Sequence, residues 1–448
     1  MKIRLGLLMI LSFVAMHAGA QKWESLFDGK TLKGWTQKGG EAKYAVVKGE
    51  IVGTTVANTP NSFLCTEKEY GDFILEMDLK LDDPMNGGVQ FRSLSKPDYQ
   101  NGRVHGYQME VDPTARAWSG GIYDEGRRDW LYNLNINPEG QKAFKMGQWN
   151  KYRIEAIGST IRTFINGIPT AHLIDDMTDK GFIGLQVHGI YADMKEGMKI
   201  RWKNIRIQTA DLKPSPLDKC PVVNLLLNNI SAQEKALGYK LLFDGKSFEG
   251  WRGVRSNAQP SKRWTITDGV IAVMKSDGSE TGNDIVSNEK YGSFELQFDF
   301  KLSEGANSGL KYFVNEDFDS KGKSAIGLEY QILDDERHPD AKGGVVGNRT
   351  LGSLYDLIPS YKLEQRFQRK IGDWNHGRVV VYPNNKVEHW LNGFKVLEYE
   401  RKSNIYLALV ARSKYAGFEG FGMNDKGLIL LQDHGDFVSF KNIKIKEL

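Results

Sequence analysis

Hydrophobic and polar residues alternate with a period of two along much of the chain. In the segment FELQFDFKL, Phe294, Leu296, Phe298 and Phe300 share one side, and the residues between them are Glu, Gln, Asp and Lys. Because successive side chains of a β-strand point to opposite faces, this pattern predicts a strand with one face in a hydrophobic core. Few segments show the longer period that is typical of an amphipathic helix.

Tight turns separate the predicted strands. The segments RIEAIGSTIRTFING and RVVVYPNNKVEHWLNG each indicate two strands joined by a short turn, and each ends in Asn-Gly, a strong hairpin signal. The chain also contains 48 glycines and 11% aromatic residues, which suits strands joined by many turns. We therefore predict an all-β protein made of antiparallel β-sandwich domains, and we favour a jelly roll over a barrel.

The same ordered series of motifs occurs twice, once in each half of the chain. The repeated segments are LFDGKTLKGW and LFDGKSFEGW, YGDFILEMDLKL and YGSFELQFDFKL, NGGVQF and NSGLKY, GGIYDE and GSLYDL, and a Gln-x-His-Gly near the end of each copy. Such a repeat indicates a duplicated domain. We predict a first domain at residues 21–209, a linker at 210–237 and a second domain at 238–448. In the linker, Ser231 is expected to cap a brief helix through Ala236.

Residues 1–20 have the features of a secretory signal peptide. Lys2 and Arg4 precede the apolar run LGLLMILSFVAM, and Ala-Gly-Ala follows just before Gln21. The apolar run is too short to span a bilayer as a helix. No Cys follows the predicted cleavage site, so no lipid anchor is expected, and no later segment suggests membrane insertion. The expected location is therefore secreted or periplasmic.

Charge and cysteine content narrow the classes of function. The chain has 60 basic and 56 acidic residues, a formal net charge of +4, and no basic stripe, which argues against nucleic acid as a partner. The two cysteines, Cys65 and Cys220, are too few for a disulfide framework. The sequence leaves open whether these two cysteines pair with each other.

Both halves of the chain carry the motifs of one known family. In the second half, GLEYQILDDERHPDAKGG, GSLYDLI, Trp374 and VEHWLNG resemble the 3-keto-disaccharide hydrolase family. In the first half, GYQMEVD, GGIYDE, FINGIPT and GFIGLQVHG carry the same resemblance. The resemblance covers nearly all of the predicted mature chain, once per domain. It implies an exported enzyme with a concanavalin-like jelly-roll fold that cleaves small glycosides or disaccharides whose sugar has first been oxidised to a ketone at C3.

A ketone at C3 changes the chemistry of glycoside cleavage. The ketone acidifies the proton on C2, so that a base can remove this proton, the C1 oxygen can leave by elimination, and water can then add. Such a site needs a base, an acid for the leaving oxygen, and donors or a metal that stabilise the enolate. One alternative is an ordinary glycosidase, which needs two carboxylates beside the anomeric carbon. Another is a pair of non-catalytic, lectin-like modules, since fold does not fix function.

One strand in each copy carries the leading candidate residues. GYQMEVD places Gln108, Glu110 and Asp112 on one face of a strand, and GLEYQILDD places Glu329 and Gln331 on the equivalent face. When the two segments are aligned, an amide and a carboxylate have exchanged places. Such residues commonly lie on a solvated outer face. Successive polar positions in a sandwich built of Phe, Leu and Ile instead favour a lined cleft.

Histidines and an acidic turn supply further candidates. His188 and His434 stand two residues after Gln186 and Gln432 on a late predicted strand, so each His is expected to share a face with its Gln. An imidazole can act as a base near neutral pH, although a lone His is more often structural. Asp334 follows the carboxylate strand in the turn DDERHPD, and an acidic turn often has only a structural role.

The predicted site covers both copies, and the second copy is preferred because it matches the family motifs more fully. Over the two copies together, the predicted catalytic residues are Glu329, His434, Asp334, Tyr355, Glu110 and His188. The predicted substrate-binding residues of the two copies are Gln331, Asp335, His338, Gln432, Lys311, Arg349, Gln108, Asp112, Tyr123, Gln186, Arg92 and Arg127. Trp118 and Trp130 are expected either to form a platform for sugar stacking or to be buried. No metal motif of strong spacing occurs, so no cofactor is predicted, although the sequence leaves open a divalent metal ion.

Overall fold

The computed structural model describes residues 23–191, 194–278, 283–317, 325–361 and 367–448. The predicted signal peptide therefore lies outside the described residues. Within these ranges the chain forms two tandem β-sandwich domains, each made of two sheets around a hydrophobic core. The predicted all-β, jelly-roll fold is confirmed.

The first domain contains fifteen strands in its described part. In chain order they are β1 (Glu24–Ser25), β2 (Trp35–Gly39), β3 (Lys43–Val47), β4 (Glu50–Thr54), β5 (Ser62–Thr66), β6 (Phe73–Leu81), β7 (Gly87–Leu94), β8 (His105–Val111), β9 (Ile122–Glu125), β10 (Asp129–Tyr132), β11 (Asn150–Ile157), β12 (Thr160–Ile165), β13 (Ile168–Ile174), β14 (Phe182–Val187) and β15 (Lys199–Gln208). One sheet has the order β13-β12-β11-β6-β15-β4-β3, with β1 beside β15. The other has the order β10-β9-β8-β7-β14-β5-β2. Short 3-10 helices are Gln100–Gly102, Leu134–Ile136 and Gly140–Lys142.

The segment between the domains adds regular structure of its own. Strand β16 (Val222–Asn224) pairs in parallel with β13 and extends the larger sheet of the first domain. Helix α1 (Ala232–Ala236) follows, and Ser231 caps it as predicted, with Glu234 completing a reciprocal capping box. Glu234 also forms a buried ion pair with Lys444 of the second domain. The segment is thus bonded to both domains.

The second domain repeats this architecture with thirteen strands in its described part. They are β17 (Lys240–Leu241), β18 (Trp251–Gly253), β19 (Trp264–Thr267), β20 (Val270–Val273), β21 (Ile285–Tyr291), β22 (Phe294–Leu302), β23 (Asn307–Asn315), β24 (Ile326–Leu333), β25 (Asn375–Val381), β26 (Lys386–Leu391), β27 (Phe394–Glu400), β28 (Gly427–Leu431) and β29 (Val438–Glu447). The larger sheet has the order β19-β20-β29-β22-β25-β26-β27, with β17 beside β29, and the smaller has the order β18-β21-β28-β23-β24. Helix α2 (Asn404–Ala411) and a 3-10 helix (Pro339–Lys342) lie in loops. No helix in the described ranges is long and apolar enough to cross a membrane.

The two domains match strand for strand along most of their length. Without β9 and β10, the smaller sheet of the first domain has the order β8-β7-β14-β5-β2, which corresponds to β24-β23-β28-β21-β18 of the second. The paired segments YGDFILEMDLKL and YGSFELQFDFKL fall on β6 and β22, and NGGVQF and NSGLKY fall on β7 and β23, whereas GGIYDE forms β9 and GSLYDL lies in a loop. The duplicated sequence therefore encodes a duplicated topology, with one extra hairpin in the first copy.

Strand β22 shows how the sequence pattern produces the two faces. Its alternating Phe and Leu residues are fully buried between the sheets. On the opposite face, the Glu295 carboxylate lies 2.8 Å from Arg378 and 3.1 Å from Lys446. Burial opposes the ionisation of Glu295, but these two cations lower its pKa to about 2. Ion pairs therefore stabilise the outer face of β22, where the alternating pattern places the charged residues.

The two cysteines are free and buried. Cys65 lies on β5 in a small apolar cluster with Phe63 and Phe182. Cys220 lies 3.4 Å from the hydroxyl of Tyr132. Burial raises the pKa of both thiols to about 12. Both are therefore protonated near neutral pH and have little nucleophilic character.

Aromatic side chains of the second domain pack against the first. The Phe394 ring stacks on Phe367 at 3.7 Å between centroids and lies 5.8 Å from the Trp118 ring. Arg369 donates a hydrogen bond to the backbone oxygen of Trp130 at 3.3 Å. Of the two expectations for the tryptophans, burial holds for Trp118, which packs in the contact between the domains.

Candidate active site

The candidate site lies on the outer face of the five-stranded sheet of the second domain. Along β24 the predicted alternation is present, because Tyr330 and Ile332 enter the core while Glu329 and Gln331 occupy the opposite face. Lys311 on β23 is the direct neighbour of Glu329 across the strand pair. These three polar side chains are all buried, with exposed fractions of 4%, 1% and 6% for Glu329, Gln331 and Lys311. Charged side chains are rarely buried to this extent without a specific role.

A glycine makes room for the carboxyl group of Glu329. A Cβ atom on Gly309 would lie 2.1 Å from Glu329 Oε1, so the carboxyl group lies directly over this glycine. In the first domain Gly88 holds the equivalent position, and a Cβ atom there would lie 2.4 Å from the side-chain carbonyl carbon of Gln108. Each copy thus keeps a glycine beneath the side chain that is Gln in one domain and Glu in the other.

Several charges act on Glu329. Burial raises the pKa of its carboxyl group, Lys311 and Lys414 lower it, and Asp284 and Asp340 raise it. The net direction is upward, so Glu329 is a stronger base than an exposed glutamate. Burial also lowers the pKa of the Lys414 ammonium. A raised carboxyl pKa and a lowered ammonium pKa bring the two groups closer in proton affinity, which favours proton transfer.

Tyr355 connects these charges to the neighbouring loops. Its backbone N–H donates to the carbonyl oxygen of Glu329 at 3.1 Å, and its hydroxyl donates to Asp340 Oδ2 at 2.7 Å. The Lys414 Nζ lies 4.0 Å from the centre of the Tyr355 ring, a cation–π contact. Arg349 pairs with the same Asp340 at 2.9 Å. The predicted residues Tyr355 and Arg349 are therefore linked to Glu329 through hydrogen bonds and ion pairs.

The two predicted aspartates after β24 bind backbone groups. The Asp334 carboxylate accepts hydrogen bonds from the N–H groups of Gly305 at 2.8 Å and Glu336 at 3.2 Å. Asp335 Oδ1 accepts from the N–H of Leu351 at 2.7 Å. These bonds fix the conformation of the turn and its neighbouring loop. Both carboxylates therefore have a structural role, which is the common role of acidic residues in a turn.

A second polar cluster lies past the end of β28. The strand ends at Leu431, so His434 lies beyond it, and the expectation that His434 is on the strand is wrong. The Nδ1 atom of His434 is 3.9 Å from Asp436 Oδ2, and its ring centre is 5.7 Å from that of His338. One potential ligand atom from each of these three residues lies within 4.8 Å of the others. In the described part of the chain this is the only such group of three His, Cys, Asp or Glu residues.

Polar groups connect this cluster to Glu329. Asp436 Oδ2 accepts a hydrogen bond from the N–H of Asn307 at 3.0 Å. The Gln331 amide lies between Asn307 and Glu329, with one terminal atom 3.3 Å from Asn307 Oδ1 and the other 3.2 Å from Glu329 Oε1. The side-chain oxygen of Gln432 is buried and has no hydrogen-bond partner among the described residues. Polar side chains thus continue along the sheet from Glu329 to the two histidines.

The first domain replaces the charges of this site with amides. Asn86 donates to Glu110 Oε1 at 2.6 Å, Gln108 donates to Glu110 Oε2 at 3.0 Å, and Gln90 donates to Gln108 Oε1 at 2.7 Å. Gln90 stands where the second domain has Lys311. Burial raises the pKa of Glu110 to about 7, although both amide hydrogen bonds favour its ionised form.

Other predicted residues surround this first-domain group. Tyr123 is the cross-strand neighbour of Gln108, and its hydroxyl donates to Asp129 at 2.8 Å. The Gln186 side chain is fully buried, and neither of its terminal atoms has a hydrogen-bond partner within the described ranges. His188 lies just past the end of β14, as His434 lies past β28, and its Nδ1 is 2.7 Å from the carbonyl oxygen of the next residue.

Two predicted arginines of the first domain belong to the framework. A β-bulge with a φ of 44° at Arg92 turns this side chain out of the strand alternation, and it pairs with Asp72 at 2.8 Å. Arg127 pairs with the buried Asp124 at 2.7 Å. Asp112 forms an ion pair at 2.9 Å with an arginine four residues later, which holds the turn after β8. Both arginines are thus engaged in ion pairs of the framework, and their role in substrate binding stays a prediction.

Sequence reasoning missed four charged residues of the second-domain site. They are Asp284, Asp340, Lys414 and Asp436. Asp340 and Lys414 lie in loops, where strand periodicity predicts no facing direction. Asp436 and Asp340 had a local signal, because Asp436 follows a predicted histidine within DHGD and Asp340 ends the acidic turn DDERHPD.

Fold and site together define a tandem jelly-roll protein with an acid–base group on the outer face of a sheet. A family model described as a 3-keto-alpha-glucoside-1,2-lyase-like domain matches residues 22–208 and 238–446. The chain therefore belongs to this family, with one copy in each half. The resemblance stated from the sequence motifs is confirmed.

Relatives at the level of a single copy are also found. A 3-keto-disaccharide hydrolase of Bacteroides thetaiotaomicron is 38% identical over 245 residues, which cover 50% of this chain and 82% of that protein. A solved structure from Parabacteroides distasonis, described as a glycosyl hydrolase, is 33% identical, with a TM-score of 0.44 over 50% of this chain and 100% of that one. A second such structure from the same organism is 27% identical, with a TM-score of 0.35 over 47% of this chain and 99% of that one.

Proposed function

We propose that the second domain cleaves the glycosidic bond of 3-keto-glycosides. The family of the chain and the name of its relative from Bacteroides thetaiotaomicron support this substrate class. The observation that carries the proposal is the group formed by Glu329, Lys311 and Lys414. It combines a buried base of raised pKa with two cations, on a sheet face where a glycine leaves space for the carboxyl group.

The proposed reaction uses this group in two stages. Glu329 takes the proton from C2, and the electron pair of the C–H bond moves to form the enolate of the C3 ketone. Lys311 and Lys414, the two cations that lower the pKa of Glu329, would stabilise this charge. The enolate then reforms the ketone, a C1–C2 double bond forms, and the bond between C1 and the leaving oxygen breaks.

The leaving oxygen needs a proton as its bond breaks. Lys414 is suited to supply it, because burial lowers the pKa of its ammonium group. Tyr355 positions Lys414 through the contact of the ammonium with its ring. Water then adds to C1 and a proton returns to C2, so the net reaction is hydrolysis that yields a 3-keto sugar and the free aglycone.

A chromogenic 3-keto-glucoside tests this proposal. The full chain is expected to release the aglycone, and Glu329→Gln should reduce the rate by about 10²-fold or more, the scale typical for loss of a general base. The matched control is Glu110→Gln, which makes the same change on the equivalent strand of the first domain and should cost much less. Full activity of the Glu329 variant would exclude Glu329 as the base.

The same assay separates the alternatives. A conventional glycosidase would hydrolyse the unoxidised glucoside at a comparable rate, whereas the proposed mechanism requires the ketone. A lectin-like pair would bind the 3-keto-glucoside in calorimetry and release no aglycone. Release of the aglycone from the 3-keto-glucoside alone is the expected result, because the proposed reaction begins with the proton that the C3 ketone acidifies.

We also propose that the protein is exported and cleaved after Ala20. The support is the sequence pattern alone: a basic start, a short apolar run and Ala-Gly-Ala before Gln21. Expression of the full chain in a host that has a secretion system should yield a periplasmic or secreted product. Intact-mass measurement of that product should show the loss of residues 1–20, and an uncleaved cytoplasmic product would contradict the proposal.

A further inference from the structure

The cluster past β28 has the composition of a metal site. It brings two imidazoles and one carboxylate together, with one potential ligand atom of each within 4.8 Å of the others. The His434 side chain is 47% exposed and that of Asp436 is 29% exposed, so solvent ions have access to it. We propose that His338, His434 and Asp436 bind a divalent transition-metal ion.

Of the proposed ligands, Asp436 is held by a hydrogen bond and His434 is exposed to solvent. Asp436 Oδ2 accepts the N–H of Asn307 at 3.0 Å, which fixes this carboxylate against the start of β23. His434 is the most exposed of the three and follows Asp433, whose carboxylate accepts from the N–H of Gly435 at 3.0 Å. The Nδ1 atom of His434 already lies 3.9 Å from Asp436 Oδ2.

Bond lengths define how far the ligands must move. Metal–ligand bonds of about 2.0–2.2 Å in a tetrahedral site place ligand atoms roughly 3.4 Å apart. The 3.9 Å between His434 Nδ1 and Asp436 Oδ2 must therefore shorten by about 0.5 Å, and any pair in the cluster by at most about 1.4 Å. His338 Nδ1 now accepts the N–H of Asp340 at 3.2 Å. Binding through either ring nitrogen of His338 gives up this bond, since a metal on Nε2 requires the proton on Nδ1.

The ligand types select among metals. Imidazole nitrogens with one carboxylate suit Zn²⁺, Co²⁺, Mn²⁺ and similar ions, whereas Ca²⁺ and Mg²⁺ prefer sites made of oxygen atoms. Three protein ligands leave at least one coordination position for water or a substrate oxygen, which is the arrangement of catalytic rather than closed structural sites.

The first domain lacks this cluster and provides an internal comparison. Its His188 corresponds to His434, but Ile190 stands where the second domain has Asp436. The described part of the first domain contains no group of three His, Cys, Asp or Glu residues that could hold a metal ion. The proposed metal site is therefore specific to the second domain, which also carries the lysines of the candidate active site.

The position of the cluster suggests what the metal does. It lies at the end of the polar row that runs through Asn307 and Gln331 to Glu329. If the proposed function holds, a metal here would accept an oxygen of the substrate and help to polarise the ketone. This role rests on the proposed function, but metal binding itself does not.

Metal binding can be measured without substrate. Full-length protein, treated with a chelator and then dialysed, is titrated with Zn²⁺ in a calorimeter and with Co²⁺ in a spectrophotometer. One equivalent of metal per chain is expected, with a visible Co²⁺ absorption band typical of nitrogen and oxygen ligands. His434→Ala, His338→Ala and Asp436→Asn should each weaken the affinity by about tenfold or more.

A matched control separates this site from general surface binding. His376 pairs with Asp299 at 2.8 Å without a second histidine, so His376→Ala should leave the metal affinity unchanged. Circular dichroism checks that each variant is folded. No binding in the wild type, or equal binding in all variants, would overturn the proposal. Glu329→Gln should still bind the metal, so loss of turnover in that variant tests the proposed function separately.

Discussion

At the scale of single residues, the two copies differ by an exchange of charge over a shared backbone. Glu329 in the second domain and Gln108 in the first lie over equivalent glycines, and Lys311 and Gln90 lie beside them. One copy therefore has a carboxylate whose pKa is raised by burial and lowered in part by two lysines, and the other has a carboxyl group, Glu110, held by amides. This difference is why we place the chemistry in the second domain.

The glycine beneath Glu329 gives a residue-scale prediction. Gly309→Ala forces the Glu329 carboxyl group to move, because the added Cβ atom would lie 2.1 Å from Oε1. A displacement of about 1 Å can cost up to 10²-fold in rate, so we expect a loss of at least about tenfold in turnover of a 3-keto-glucoside. Gly88→Ala, the same change in the first domain, is the control and should leave most of the activity. Equal losses in both variants would contradict the assignment.

Glu110 gives a second residue-scale prediction, for the pH dependence of stability. Its pKa is about 7 in the folded protein against 4.5 for an ordinary glutamate. A carboxyl group with a raised folded-state pKa binds more protons when folded, so its contribution to stability is full below about pH 4.5 and is lost as the pH rises through about 7. Relative to wild type, Glu110→Gln should gain up to about 3 kcal/mol in the free energy of unfolding between pH 5 and pH 8. Urea denaturation at both pH values checks this difference, and parallel curves for the two proteins would contradict it.

At the scale of elements, helix α1 is short but joins the two halves of the chain. The Glu234 carboxylate completes the capping box at its start, accepts from Asn224 and pairs with Lys444. Burial opposes the ionisation of Glu234, but Lys444 keeps its pKa below the ordinary value. The helix is therefore fixed mainly by one buried ion pair rather than by its own length.

Removal of this carboxylate should destabilise the protein strongly. Glu234→Ala leaves the Lys444 ammonium, only 3% exposed, without its partner, and the expected cost is about 3–5 kcal/mol in the free energy of unfolding. Ser231→Ala removes only the cap hydroxyl at the start of the same helix and should cost about 1 kcal/mol. Chemical denaturation of both variants provides the comparison. Similar costs would mean that Lys444 finds another partner or reaches solvent.

At the scale of the whole molecule, the domains share an aromatic contact. Phe394 and Phe367 of the second domain belong to the hydrophobic cluster of the first, next to Trp118. Burial of these rings couples the unfolding of one domain to that of the other. The candidate site of the second domain does not depend on this contact, since its residues lie on a different sheet.

The shared contact predicts how the two domains unfold. Phe394→Ala removes one buried ring, for which a loss of about 3 kcal/mol is typical, and should separate the calorimetric unfolding into two transitions. Leu407→Ala, at a half-exposed position on α2, removes apolar atoms away from the interface and should keep the wild-type profile. An unchanged profile for the Phe394 variant would show that the domains are coupled elsewhere.

The local alternation of polar and apolar residues and the sequence repeat predicted most of the fold. They predicted both faces of β22 and β24, the duplicated topology and the capped helix after Ser231, because each depends on neighbours in sequence. They failed where the backbone departs from regular geometry. The bulge at Arg92 reverses its side chain, and the turn made by Asp433 ends β28 before His434.

The rest of the site could not be predicted from local patterns. Lys414 lies in a loop far from Glu329 in sequence, and it acts on the pKa of Glu329 only because the fold brings the two segments together. The burial that raises the pKa of Glu329 is likewise a property of the assembled sheets. Chemistry built from distant loops therefore requires the structure.

The parallel strand β16 has a practical consequence for anyone who divides this protein. A fragment that stops at residue 209 would expose the unpaired backbone groups of β13, a template on which other chains can add and aggregate. A fragment that continues through Asn224 keeps β13 paired with β16. The natural cutting point for producing the first half alone therefore lies well inside the connecting segment, past Asn224.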